Sequence, residues 1–172
     1  MRLTNRPLPS YSFIPGITPH PLKSRDGHMY GQEEPELEKI EPSEWMSAED
    51  YLYSLDLLNL GYFWESHVWL EALWNAHERT GECAEFFKAL IKVAAAGVKA
   101  RQGKVIPAQG HLNRAKELFK IAFELNENKE PLLGFHYTDL ESFIDSTISN
   151  LDSFCEDKHR ERRCLSPLIP KN

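Results

Sequence analysis

Cysteine is scarce in this chain: three in 172 residues. Cys83, Cys155 and Cys164 are odd in number and have no metal-like spacing, which excludes a disulfide-stapled secreted scaffold and leaves them as reduced thiols. Long apolar runs are also lacking. Nothing approaches the roughly 18 apolar residues of a membrane span, and Pro7, Pro9 and Pro15 stand where a signal peptide needs an apolar stretch. A cytoplasmic protein with no membrane partner is the expectation. Positive charge is in deficit, 20 Lys and Arg against 26 Asp and Glu for a formal charge of −6, so attraction to phosphate is weak and nucleic acid is a disfavoured partner. No segment alternates apolar and polar with β-branched enrichment, so a sheet has no source of strands.

What is present is globular material, 41% hydrophobic and 27% charged, at a length suited to one domain. Residues 1–42 carry Pro7, Pro9, Pro15, Pro19, Pro21, Pro35 and Pro42, which excludes a long regular element because proline fixes φ and removes a donor. Yet Tyr11, Phe13, Ile14, Ile17, Leu22 and Tyr30 punctuate this stretch, so it reads as an irregular arm that wraps the body. An acidic run from Gln32 to Asp50 reads as a solvated linker. A single helical domain then spans residues 43–157, and a charged, proline-containing tail, 158–172, is expected to fray.

The pattern within the domain predicts about five helices packed as antiparallel hairpins or a bundle, an all-α fold. Ser47 is a plausible N-cap for the first, which Gly61 stops. A second helix runs from about Tyr62 to Thr80 and ends at Gly81, and a third runs from about Cys83 to Gln102. The run Ala94-Ala95-Ala96-Gly97 in the third lets a neighbour approach closely. Pro107 can open a fourth as its first-turn residue, and the residues Thr138-Asp139-Leu140-Glu141 form a capping-box pattern for a last helix reaching Phe154.

Chemistry is most concentrated in Trp64-Glu65-Ser66-His67-Val68-Trp69-Leu70-Glu71-Ala72-Leu73-Trp74. Four-residue spacing sets His67 over Glu71 beside Phe63, Trp64, Leu70 and Trp74, whereas Tyr62, Trp69 and Leu73 lie on another side and Glu65 projects away from His67. An imidazole with a carboxylate can hold a metal, pass a proton or form a buried structural pair. The zinc-protease pattern is excluded, since the second histidine and its neighbouring glutamate are missing. A complete metal site would need further ligands, for which the arm offers His20 and His28; His111 and His136 stand elsewhere in the chain. The candidate metal set is therefore His67, Glu71, His28 and His20, with a divalent ion as the implied cofactor. Asp56, polar within an apolar helix, either closes the same pocket or ties its helix to the arm by a hydrogen bond.

The stretch Asn59-Leu60-Gly61-Tyr62-Phe63-Trp64-Glu65-Ser66-His67 with Glu71-Ala72-Leu73-Trp74, the stretch Phe87-Lys88-Ala89-Leu90-Ile91-Lys92-Val93-Ala94-Ala95, and Gln102-Gly103-Lys104 with Ala115 resemble the uncharacterised helical family called domain of unknown function number 309. The arm, with Leu8-Pro9-Ser10-Tyr11-Ser12-Phe13-Ile14-Pro15-Gly16, Pro19-His20-Pro21 and Gly27-His28-Met29-Tyr30-Gly31, is similar to that of a bacterial subset. The resemblance implies an all-helical cytosolic fold and no established reaction. It puts Glu65, His67, Glu71 and Trp74 at signature positions, with His20, His28 and Tyr30 of the arm second. Val68 stands where similar sequences usually have a second glutamate, which weakens any acidic metal cluster here, and Lys88 and Lys92 stand where they usually have glutamines.

The leading expectation is a small-ligand or metal-binding helical protein, its pocket formed by the arm folding over the second helix with His67 and Glu71 as polar floor. Glu65, Trp74, Asp56 and Tyr30 complete the candidate ligand set. No catalytic residue is assigned, because no nucleophile or oxyanion donor can be named. The alternative is a protein-interaction module or homodimer using the apolar excess of the second helix, with the histidine and glutamate purely structural. A third reading takes Lys88, Lys92, Lys99, Lys104, Arg114, Lys116 and Lys120 as a phosphate or RNA surface, against which the net charge argues.

Overall fold

A computed structural model describes residues 2–127, 129, 131–156, 165 and 167–171. Its helices are α1 (Glu49–Asn59), α2 (Phe63–Ala76), α3 (Gly81–Arg101), α4 (Val105–Leu125), α5 (Tyr137–Ser149) and α6 (Leu151–Glu156), preceded by a 3-10 turn at Pro42–Ser47. No strand occurs among the described residues, only an isolated antiparallel bridge between Leu132 and Phe135, so the fold is all-α. No described helix is long and apolar enough to cross a membrane.

α3 is the axis of the core, and its broadest contact is with α4. Phe86, Phe87, Leu90, Val93 and Ala94 are fully buried there, as are Leu112, Ala115 and Leu118 of α4. Phe86 sits edge-on to both Phe87 and Phe119. α2 crosses the other side of α3 at Gly97, where an added Cβ would lie 2.4 Å from the Phe63 ring. The small-residue run therefore does admit a neighbour, and that neighbour is an aromatic side chain of α2.

Helix ends show where local signals prevailed and where they did not. After α1, Gly61 has φ +80°, its N–H donates to Leu58 O at 3.2 Å, and that of Tyr62 donates to Leu57 O at 2.8 Å. These are the paired bonds of a Schellman stop, satisfying carbonyls the helix leaves open. α2 stops earlier than its pattern predicts, at Ala76, because Glu78 and Arg79 take φ of 56° and 60° and repeat the same bonds without glycine. Ser47 does not cap α1: Pro42 opens a 3-10 turn that draws the Ser47 hydroxyl onto Glu44 O at 2.9 Å. The expected capping box at Thr138 is likewise absent, since α5 begins at Tyr137 with His136 as its cap and no side-chain cap bond. Pro107 is the third residue of α4 and so lies in its first turn, as expected, where a missing N–H costs no helical bond. The last predicted helix divides at Asn150, whose N–H and side-chain amide both bond back to Ser146 O.

The tail was expected to fray, yet its described residues are docked. Leu165 and Leu168 are buried, and the Asn59 amide exchanges two 2.8 Å bonds with the backbone of Leu168. The charged stretch Lys158 to Arg163 and Cys164 lie outside the described residues.

Candidate functional site

The arm lies along α1 and α2, held by a series of polar clasps. Asp56, 1% exposed, accepts the N–H groups of Leu3 at 2.7 Å and Thr4 at 2.8 Å and the Thr4 hydroxyl at 2.7 Å. It thus ties its helix to the arm, the hydrogen-bonding alternative for this residue, and does not line the cavity described below. The Tyr53 hydroxyl donates to Pro7 O, and the Ser12 hydroxyl to Gly61 O. Arg6 pairs with Asp50 at 2.6 Å while its guanidinium lies 4.3 Å from the Trp69 ring centroid and 4.9 Å from that of Tyr53.

The deepest clasp is at Glu65, which is 2% exposed. Its Oε1 accepts the Phe13 N–H at 2.8 Å and stands 2.9 Å from His28 Nε2. A carboxylate can only accept, so an ionised Glu65 requires the hydrogen on Nε2 of His28. The His28 ring meets Tyr11 edge-on at 4.5 Å, and the Tyr11 hydroxyl donates to Pro19 O at 2.9 Å. Gly27 permits this arrangement: a Cβ there would fall 2.1 Å from Pro21 O, so only glycine lets the 27–29 turn close on residues 20–21. The second oxygen, Glu65 Oε2, is buried and has no protein partner.

Glu65 and His28 border an open cavity of about 530 Å³ between arm and helices, lined also by residues 7–10, Met29, Gln32, Tyr53 and Trp69. This lies within the size range of small-molecule sites. The cavity is thus on the Glu65 and Trp69 side of α2, not on the His67 side. The helical wheel separates the two sides correctly; the side on which the cavity lies is the correction.

His67 and Glu71 do meet, at 3.3 Å, but their side chains are 36% and 45% exposed, so this is a surface pair and not a pocket floor. Trp74 packs against the main core and carries the Arg79 guanidinium at 4.7 Å. Tyr30 is 51% exposed and does not border the cavity. His20 lies edge-on to Trp64 and tilted against Phe13, and its Nδ1 accepts the Leu22 N–H at 3.3 Å. His67, Glu71, His28 and His20 are therefore not gathered into one site, and among the described residues no three His, Cys, Asp or Glu side chains are placed to hold a metal. Of all the candidates, Glu65 and His28 border the cavity. Tyr53, Trp69 and Met29 were missed, because as apolar residues of a helix or arm they carry no signal separating a cavity wall from core. Arg6 was missed because a lone arginine in an irregular segment has no periodicity to place it.

Elsewhere the chemistry is quiet. Burial pushes the Cys83 thiol up to about 12, with Glu82 and Glu41 adding to it, so Cys83 is no nucleophile. Much of the lysine stripe is matched by acids, with Lys116 bridging Asp145 and Glu141, Lys88 beside Glu85, and Arg114 beside Glu117. A second cavity, of about 480 Å³, is bordered by the acidic linker and the start of α1.

Residues 51–110 match the model of a family described as Domain of unknown function (DUF309). The match agrees with the resemblance read from α1 to α3 and includes Tyr53, Glu65 and Trp69 but none of the arm. No curated protein and no solved structure matches the chain at a significant level.

Proposed function

From a helical core of the DUF309 pattern carrying an arm outside that pattern, we propose a protein that binds a small organic molecule in the cavity between arm, α1 and α2, with Glu65 and His28 as its polar floor. The observation that carries this reading is the cavity itself, about 530 Å³ beside the buried Glu65 and His28 pair and the rings of Tyr53 and Trp69. The surroundings support the same reading, since apolar and aromatic walls with few convergent polar groups are what small-molecule sites have in common.

The interaction-module alternative rested on the apolar excess of α2. That excess is occupied by the chain's own arm, with Phe13 and His20 against Trp64 and Arg6 against Trp69, so no observation favours it.

The test is a saturation-transfer NMR screen of the full chain against a library of cationic, neutral and anionic fragments smaller than the cavity. Hits should move the Trp69 indole N–H and the Phe13 amide, and should persist in His67→Ala. A library with no hit at those two reporters, or hits that vanish in His67→Ala while Glu65→Gln keeps them, would overturn the reading.

A further inference from the structure

The lysines of α3 and α4 divide into two groups. Lys88 lies 3.3 Å from Glu85, Lys116 2.9 Å from Asp145 and Lys120 3.9 Å from Glu124. Lys92 and Lys99 have no acidic partner of this kind among the described residues, although the chain holds 26 acids against 20 lysines and arginines.

The fold brings these two lysines together with a histidine. Seven residues are almost two helical turns, so Lys92 and Lys99 leave one face of α3 roughly 10 Å apart along its axis, with the half-buried Ala95 between them. α3 and α4 form a hairpin about Gly103, whose φ is +72°, and helices joined this closely pack antiparallel. Ala95 and His111 stand eight residues either side of that glycine, so the hairpin sets them level across the α3–α4 seam. Beneath them the buried Ala96, Ala108 and Leu112 close the seam. Burial, then the positive charges of Lys92 and Lys99, hold the His111 imidazole below its ordinary 6.5. No carboxylate enters that balance, in contrast to His77, where Glu41 and Glu82 oppose Lys39. Lys99 lies in the last turn of α3, where the helix dipole favours a cation; Lys92 lies in mid-helix and has no such support.

The donors select the anion. An ammonium is a point donor suited to phosphate, and a neutral imidazole adds one N–H. Two positive charges balance a phosphate dianion, whereas a monocarboxylate leaves one of them unmatched. The pairs Lys88–Glu85 and Arg114–Glu117 bring acids to the flanks, which breaks any continuous basic track for a nucleic-acid strand. None of these residues lines the cavity between arm, α1 and α2. We propose that the α3–α4 seam binds a single phosphate group, as the free dianion or as the head of a small phosphate monoester, with Lys92 and Lys99 supplying the charge and the His111 ring N–H a hydrogen bond beside Ala95.

The experiment titrates inorganic phosphate, methyl phosphate and acetate into the full chain at pH 7.5 and constant ionic strength, so that general screening is the same in each arm, and follows the Ala95 and His111 amide signals. Phosphate should bind saturably and at least about tenfold tighter than acetate. Methyl phosphate binding as tightly as phosphate supports a site open to organic monoesters; phosphate binding alone supports one confined to the free ion. Lys92→Gln and Lys99→Gln, each checked for an unchanged thermal melt, should both weaken phosphate by at least about fivefold, and Lys120→Gln should leave it unchanged. If one of the two does not fold, the other decides. Acetate binding as tightly as phosphate, phosphate affinity undiminished in a folded Lys92→Gln or Lys99→Gln variant, or silence of both amides toward phosphate and methyl phosphate would each overturn the site. A short oligouridylate that moves these amides when neither phosphate probe does would overturn it in favour of nucleic acid.

Discussion

The residues that matter most here are buried polar ones, and each can be tested by removal. Asp56 accepts three hydrogen bonds from Leu3 and Thr4 at 1% exposure, and charge-assisted bonds of this kind outweigh neutral ones. Asp56→Ala should lower unfolding stability by roughly 2–3 kcal/mol, read as a shifted urea midpoint; a change under half a kcal/mol would mean that water replaces the clasp at no loss. Cys83 is 4% exposed and its thiol sits near 12, so at pH 8 it stays protonated. Alkylation followed by peptide mapping should find Cys83 and Cys155 unmodified in the native protein and fully modified in denaturant. The sign of the linkage follows: a pKa raised in the fold contributes stability that is intact below the ordinary value of 9.0 and lost as pH rises toward about 12.

At the scale of the elements, the crossing of α2 and α3 depends on one missing methyl group. Gly97→Ala would place a Cβ 2.4 Å from the Phe63 ring, and overpacking of this kind costs about 1–3 kcal/mol, partly offset by the better helix propensity of alanine. Pairing it with Phe63→Leu should return part of the loss in a double-mutant cycle; strict additivity would show that the ring simply moves aside. The acidic linker is joined to the end of α2 by His77, whose Nε2 accepts the Ile40 N–H at 3.1 Å. Burial pushes this imidazole below its ordinary 6.5, Lys39 reinforces the shift, and Glu41 and Glu82 oppose it. A lowered histidine pKa means that the contact is intact above 6.5 and lost as pH falls through the folded value, because a protonated Nε2 meets an N–H with no lone pair. Hydrogen exchange at Ile40, corrected for its intrinsic pH dependence, should therefore lose protection between pH 7.5 and 5, whereas His77→Ala should show low protection throughout.

Across the whole molecule, an arm without regular structure is held by clasps spaced along it, at Asp56, Tyr53, Ser12 and Glu65. If these act separately, Leu3, Thr4 and Phe13 should be protected from exchange although none is in a helix. Asp56→Ala should expose the first two, and Glu65→Leu the third. Loss of all three in either variant would show a single cooperative arm. The helices were legible in the sequence because burial at a period near 3.6 is a local property: Phe86, Leu90, Val93 and Leu112, Ala115, Phe119 announce the α3 and α4 faces directly. Gly61 announced its stop for the same reason, since a positive φ is a property of one residue. Capping was less legible, because Ser47 and Thr138 compete with neighbouring turns for the same hydroxyls and backbone groups. The separation of Glu65 from His67 around α2 was likewise fixed by the sequence alone. Only the tertiary structure decided which of the two is buried, because that depends on where Gly27, Tyr11 and Phe13 dock the arm. Such contacts join residues 52 and 37 positions apart, Phe13 and His28, to one carboxylate, and no local periodicity encodes them.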